Sequence, residues 1–166
     1  MIVIVFGVSG AGKTTVGELL ARELDWHFLE ADDFHPAANI EKMGSGYPLT
    51  DEDRVPWLER LREQIKLSLA ARENAVLACS ALKRKYRERL RVNDEVKLVF
   101  LHGSYPVIAE QLRHRRGHFF ERALLKSQFD DLEEPLPDEG ALTIELGRPP
   151  QELVKEIKEK LHLSRG

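Results

Sequence analysis

The sequence predicts an α/β domain built on a mostly parallel sheet, and two observations carry that expectation. Short apolar runs, "IVIVF", "AVLAC" and "LVFL", alternate with longer amphipathic segments, as strands covered on both faces alternate with crossover helices. A glycine-rich turn, "GVSGAGKT" at 7–14, falls between the first run and the first amphipathic stretch. That is where a strand–loop–helix phosphate site belongs.

Each element follows from its local pattern. Strands are expected at Ile2–Phe6, His27–Glu30, Ala75–Cys79, Lys97–Leu101 and Leu142–Glu145. Between them, Lys13–Leu24 carries Val16, Leu19, Leu20 and Leu24 on one helical stripe. Thr50 is placed to cap a helix opening on Asp51, Glu52 and Asp53, acids that suit the positive end of a helix dipole. That helix runs on through Leu58, Leu61, Ile65 and Leu69. Ser104 is placed to cap another, with Pro106 tolerated in its first turn. Pro149 and Pro150 open a last one, where Leu153, Ile157 and Leu161 recur every fourth residue. The segments Asp33–Leu49 and Arg113–Glu121 fit no strand–helix unit. In such folds those are the places where ligand-facing segments are inserted.

A chain of 166 residues and 19.0 kDa suits a single domain over 1–166, long enough to bury its own core. Twenty-five Lys and Arg against 28 Asp and Glu leave a net charge of −3. No nucleic-acid grip based on bulk positive charge is expected, whereas small anions need only a local cluster of donors. Cys79 is the one cysteine, so no intramolecular disulfide forms and a reducing, cytoplasmic setting is expected. The opening "MIVIVFG" is a buried strand too short to span a bilayer and has no basic leader. No membrane partner is expected.

The motif at 7–14 matches G-x-x-x-x-G-K-[ST] in full. Gly7, Gly10 and Gly12 let the backbone turn and bring the amides of Val8, Ser9, Ala11 and Thr15 towards phosphate oxygens. Lys13 is placed for the β- and γ-phosphates, and the Thr14 hydroxyl for magnesium. ATP or GTP with Mg2+ follows. A tight glycine turn with a chance lysine is the bland alternative, and the full match in context speaks against it.

Ligands of an open parallel sheet gather beyond the carboxyl ends of its strands. The second strand ends at Asp32 and Asp33, and the third runs into Ser80. Asp32 is the candidate to accept a hydroxyl proton from an acceptor aligned with the γ-phosphate; a solvated or capping acid is the alternative. Successive residues of an extended segment point to opposite sides, so one of the two acids faces the crevice. Where many phosphate-loop proteins carry a magnesium-shell aspartate after the third strand, this chain has Ser80. Ser80 either binds water in the metal's outer shell or caps a helix over "ALKRKYRERL". Arg54, Lys83 with Arg87, and Arg113, Arg115 and Arg116 form three basic groups from separate segments. Together they suit a carboxylate acceptor beside a triphosphate, while a solvated face is the plain reading of much of Lys83–Arg91.

With "GVSGAGKT", the stretches "DDFHPAANIEKMGSGYPLTDEDRVPWL", "CSALKRKYRERLR", "RRGHFFERALLKSQFDDLEEP" and "RPPQELV" resemble the gluconate kinases nearly end to end. The resemblance implies a three-layer α/β/α kinase fold with a five-stranded parallel sheet. It also implies a substrate-binding insertion at about 33–56 and a mobile lid at about 113–122. The implied reaction is transfer of the ATP γ-phosphate to the 6-hydroxyl of D-gluconate, feeding the pentose phosphate and Entner–Doudoroff routes. In the family's Asp-x-x-His-Pro pattern the acid falls on Asp32 and leaves Asp33 free. His35, Arg54, Lys83, Arg87 and Gln128 then look like substrate contacts, Arg115 like the lid arginine, and Arg148 and Pro149 like part of the adenine site. The family also implies a homodimer. Another small carboxylate or polyol as acceptor, or an ATP-hydrolysing switch, remain the alternatives.

Overall fold

Five strands, β1 (Ile2–Phe6), β2 (His27–Glu30), β3 (Ala75–Cys79), β4 (Val96–His102) and β5 (Leu142–Glu145), form one sheet. Their order is β2-β3-β1-β4-β5, and every neighbouring pair is parallel. A computed structural model describes residues 1–113 and 118–165, with side chains throughout except at 118–124. Parallel neighbours require crossovers, and the helices supply them. These are α1 (Lys13–Leu24), α2 (Ala37–Gly44), α3 (Asp51–Ala70), α4 (Arg84–Leu90), α5 (Tyr105–Arg113), α6 (His118–Asp131) and α7 (Pro150–Lys160).

The period of two along β1 divides the core. Val3 and Val5 join a cluster with Val16, Leu20, Ile108 and Ile157 on one face. Ile2, Ile4 and Phe6 join Trp57, Leu61, Ile65 and Leu90 on the other. All five β1 residues are fully buried, as a central strand covered on both faces requires. Sheet and helices thus make three layers.

Four strands have the bounds their sequence pattern predicts. β4 is one residue longer at each end, because Val96 pairs with Ile2 and His102 with Glu145. Thr50 caps α3 as expected, accepting from Asp53 N while Asp53 accepts from Thr50 N. Two expectations are corrected. Ser80 is not a helix cap, since α4 begins at Arg84 with Lys83 in the cap position. The residues after β2 are not extended either. Ala31–Phe34 is a turn of 3-10 helix, with Glu30 accepting from Asp32 N. No helix among the described residues is long and apolar enough to cross a membrane.

Candidate active site

The glycine-rich turn links β1 to α1 at the carboxyl edge of the sheet. Gly7 N donates to Ser80 O at 3.3 Å, tying it to the end of β3. Gly12 caps α1 with φ +90° and supplies no side-chain cap, which suits a helix start that offers its first amides to an anion. Gly10 has φ +83°, and a Cβ there would lie 2.7 Å from Leu112 Cγ. Glycine is therefore required both for the turn and for the approach of α5.

Side chains from three elements already engage this loop. Lys13 Nζ donates to Val8 O at 3.0 Å, Gln111 Nε2 to Gly10 O at 2.7 Å, and Ser9 N to Gln128 Oε1. Thr14 Oγ1 donates to Glu30 Oε2 at 2.5 Å. Glu30 is the site residue that sequence reasoning missed. As the last residue of a short strand it read as the strand's end, and the signal was an acid one strand away from the Thr14 hydroxyl. Burial holds its carboxyl above the ordinary value, against the lowering effect of the Thr14 hydrogen bond. Hydroxyl and carboxylate oxygens side by side suit Mg2+, a hard ion that takes its remaining oxygens from phosphate and water. Thr14 and Glu30 fit that ion.

Beside the loop opens a cavity of about 370 Å³, walled by Lys13, Asp32, His35, Arg54, Gln128 and Asp131 among others. Its volume suits a small ligand, and its walls mix apolar surface with convergent polar groups. Asp32 reaches it and Asp33 does not, as expected, but the helical turn rather than strand alternation separates the two acids. Arg54 Nη1 donates to Tyr86 Oη at 2.9 Å, and its Nη2 lies 3.6 Å from Asp131 Oδ2. The Asp131 carboxylate on the cavity wall also lay beyond the sequence reading. His35 is buried, stacked on Trp57 with ring centroids 4.5 Å apart. Burial lowers its basicity, Asp32 raises it and Arg54 lowers it further, so the net shift is downward. Trp57 belongs to the core and also walls the cavity. Ser80 lines the cavity too.

Other expected site residues among those described do not line this cavity. Arg87 is corrected outright: only 1% exposed, it forms a two-pronged pair with Glu139, Nε–Oε1 2.8 Å and Nη2–Oε2 2.9 Å. It also donates to the Ala81, Leu82 and Glu133 carbonyls and stacks 5.0 Å over the Phe6 ring. It shapes the exit of β3, where Ala81 adopts φ +37°, and has no donor directed at a substrate. Lys83 is paired with Asp51 at 2.9 Å and is not among the described residues that line the cavity. Arg148 donates to Glu145 O at 3.1 Å and pairs with Glu156 at 2.7 Å, and Pro149 caps α7. Arg115 and the centre of the expected lid lie outside the described residues.

Comparison with known proteins bears on the whole constellation. The family model for an AAA domain matches residues 2–135. The chain is 45% identical to gluconokinase of Gluconobacter oxydans, over 93% of this chain and 87% of that one. It is 47% identical to thermosensitive gluconokinase of Escherichia coli, over 82% and 73%. The crystal structure of a gluconokinase from Sinorhizobium meliloti superposes with a TM-score of 0.85 at 42% identity, covering 96% of this chain and 94% of that one. A shikimate kinase from Aquifex aeolicus shares the fold, with a TM-score of 0.61 at 20% identity over 98% and 96%. The chain belongs to the gluconokinase family of phosphate-loop kinases.

Proposed function

We propose that this kinase transfers the γ-phosphate of ATP to the terminal hydroxyl of D-gluconate, giving 6-phosphogluconate and ADP. The observation that carries the reading is a cationic guanidinium, Arg54, and a carboxylate, Asp32, walling one cavity with the phosphate-loop lysine. Gluconate presents a carboxylate at one end and a primary hydroxyl at the other. Arg54 anchors the first, because a guanidinium pairs with carboxylates through two parallel donors. Asp32 receives the second.

Catalysis is then positioning and charge neutralisation rather than covalent chemistry. The hydroxyl oxygen bonds to the γ-phosphorus as its proton passes to the Asp32 carboxylate. The bond to the bridging oxygen breaks with its electrons going to ADP. Lys13 and the loop amides hold the phosphates, and Thr14 with Glu30 would hold Mg2+, which would supply neutralisation of the phosphate charge. Gln128, on Ser9 N, joins the phosphate loop to the acceptor cavity.

The test is ADP release with and without a second substrate. Gluconate should stimulate it by orders of magnitude, and shikimate, glycerate and nucleoside monophosphates should not. Equal turnover without any acceptor would instead identify an ATP-hydrolysing switch.

A further inference from the structure

The hydrogen bonds around His35 fix which ring nitrogen carries its proton. Asn39 Nδ2 lies 2.8 Å from the backbone oxygen of Asp53. A carbonyl only accepts, so it is the amide's NH2, and not its oxygen, that faces this way. The same NH2 stands 3.2 Å from His35 Nδ1. An amide NH2 only donates, so Nδ1 is the acceptor and the neutral ring carries its proton on Nε2. The ring plane is fixed as well. Trp57 stacks on it with 10° between planes, and the indole N–H is held by Ala31 O at 2.8 Å.

Nε2 points to the Asp32 side of the cavity, 4.0 Å from Oδ1. That is too long for a direct hydrogen bond, yet an oxygen about 2.8 Å from each atom would bridge the gap. We propose that Asn39 is a positioning residue that holds His35 as an Nε2–H donor. A substrate hydroxyl seated between His35 and Asp32 then accepts from His35 and must present its own proton to Asp32. The opposite tautomer would make Nε2 an acceptor that competes with Asp32 for that proton. Asp32 and Arg54 are the charged groups that act on the ring, with opposing effects, and burial favours its neutral form. The tautomer is independent of which acceptor the enzyme uses, whereas its catalytic consequence rests on the gluconate reading.

Nitrogen-15 NMR of the labelled protein reads the tautomer directly. The Nε2–H pattern is expected for His35, and an Nδ1–H or averaged pattern overturns the proposal whatever the variants do. Two substitutions separate donor placement from packing. His35→Gln carries an amide nitrogen near the Nε2 position and should retain most of kcat; His35→Asn carries one near Nδ1 and should lose about tenfold or more, the size of one hydrogen bond. Equal losses in both argue against a donor at Nε2. Asn39→Asp replaces the donor with an acceptor. It should shift His35 to the Nδ1–H or cationic pattern and lower kcat for gluconate while leaving KM for ATP unchanged. An unaltered NMR pattern in that variant also overturns the proposal. If gluconate fails to stimulate ADP release at all, the function reading falls while the NMR arm still decides the tautomer.

Discussion

In the proposed reaction Asp32 and Arg54 serve opposite ends of one small acceptor, and their substitutions should separate in kinetics. Asp32→Asn removes a proton acceptor and should lower kcat by about 10²–10⁴, with KM for ATP little changed. Retention of full turnover would refute Asp32 as the base. Arg54→Ala should act mainly on KM for gluconate, by roughly 10–100-fold for a lost charged hydrogen bond. Tyr86→Phe should move the same constant less, since the Tyr86 hydroxyl only steadies Arg54 through its Nη1 and in turn donates to Asp51. Such roles were partly legible in the sequence. Asp32 and Arg54 follow from charge together with the family resemblance, since an acid after a strand reads by itself as solvated or capping too, and both wall the cavity. Arg87 did not, since a cation in a charged run reads as solvated or ligand-facing. Only the partner 52 residues later, Glu139, shows that it is buried. Glu30 escaped notice for a similar reason, as its partner Thr14 belongs to a different strand–helix unit.

Among the elements, α4 is fastened to the loop that follows α6 by the buried Arg87–Glu139 pair. Breaking one partner of such a pair strands the other charge, at a cost of about 3–5 kcal/mol. Glu139→Gln should therefore lower Tm by roughly ten degrees at neutral pH. Arg87 holds the Glu139 carboxyl below its ordinary value of 4.5. A depressed carboxylate contributes stability above the unfolded-state value and loses it as pH falls through the folded-state value. The gap between wild type and variant, followed by thermal melts, should thus be full at neutral pH and shrink below about pH 4.5. Melts that differ equally at all pH values would mean the pair contributes through packing alone. Regular elements were the most legible part of the chain. β1, β2, β3, β5 and α1 begin and end where apolar period and caps place them. The turn at Ala31–Phe34 and the short helix α2 were not, since both are held by contacts with Trp57 and Asp53 on α3.

The assembled molecule puts the phosphate loop at the sheet centre, after β1, and the cavity on the β2 side. Ligands that bind only the folded form should stabilise it by mass action, by about 2.7 kcal/mol at a hundredfold excess over Kd, and so raise Tm. A non-hydrolysable ATP analogue with Mg2+ should protect the wild type and fail to protect Lys13→Ala. Protection of both would remove Lys13 from the phosphate site. Fold class was readable at this scale because buried parallel strands and a phosphate loop constrain topology tightly. The cavity was not, because it forms where residues far apart in the chain, such as Asp32 and Asp131, converge.

One consequence concerns descent rather than chemistry. About half of the cavity wall, from Asp32 through Trp57, comes from one continuous piece of chain that leaves the sheet at β2 and returns at its immediate neighbour β3. Such a piece can be exchanged between relatives without rewiring the sheet, the phosphate loop or the crossovers beyond β3. A family built this way can change its diet by recombination at two adjacent strands, keeping its phosphate donor while acquiring a new recipient.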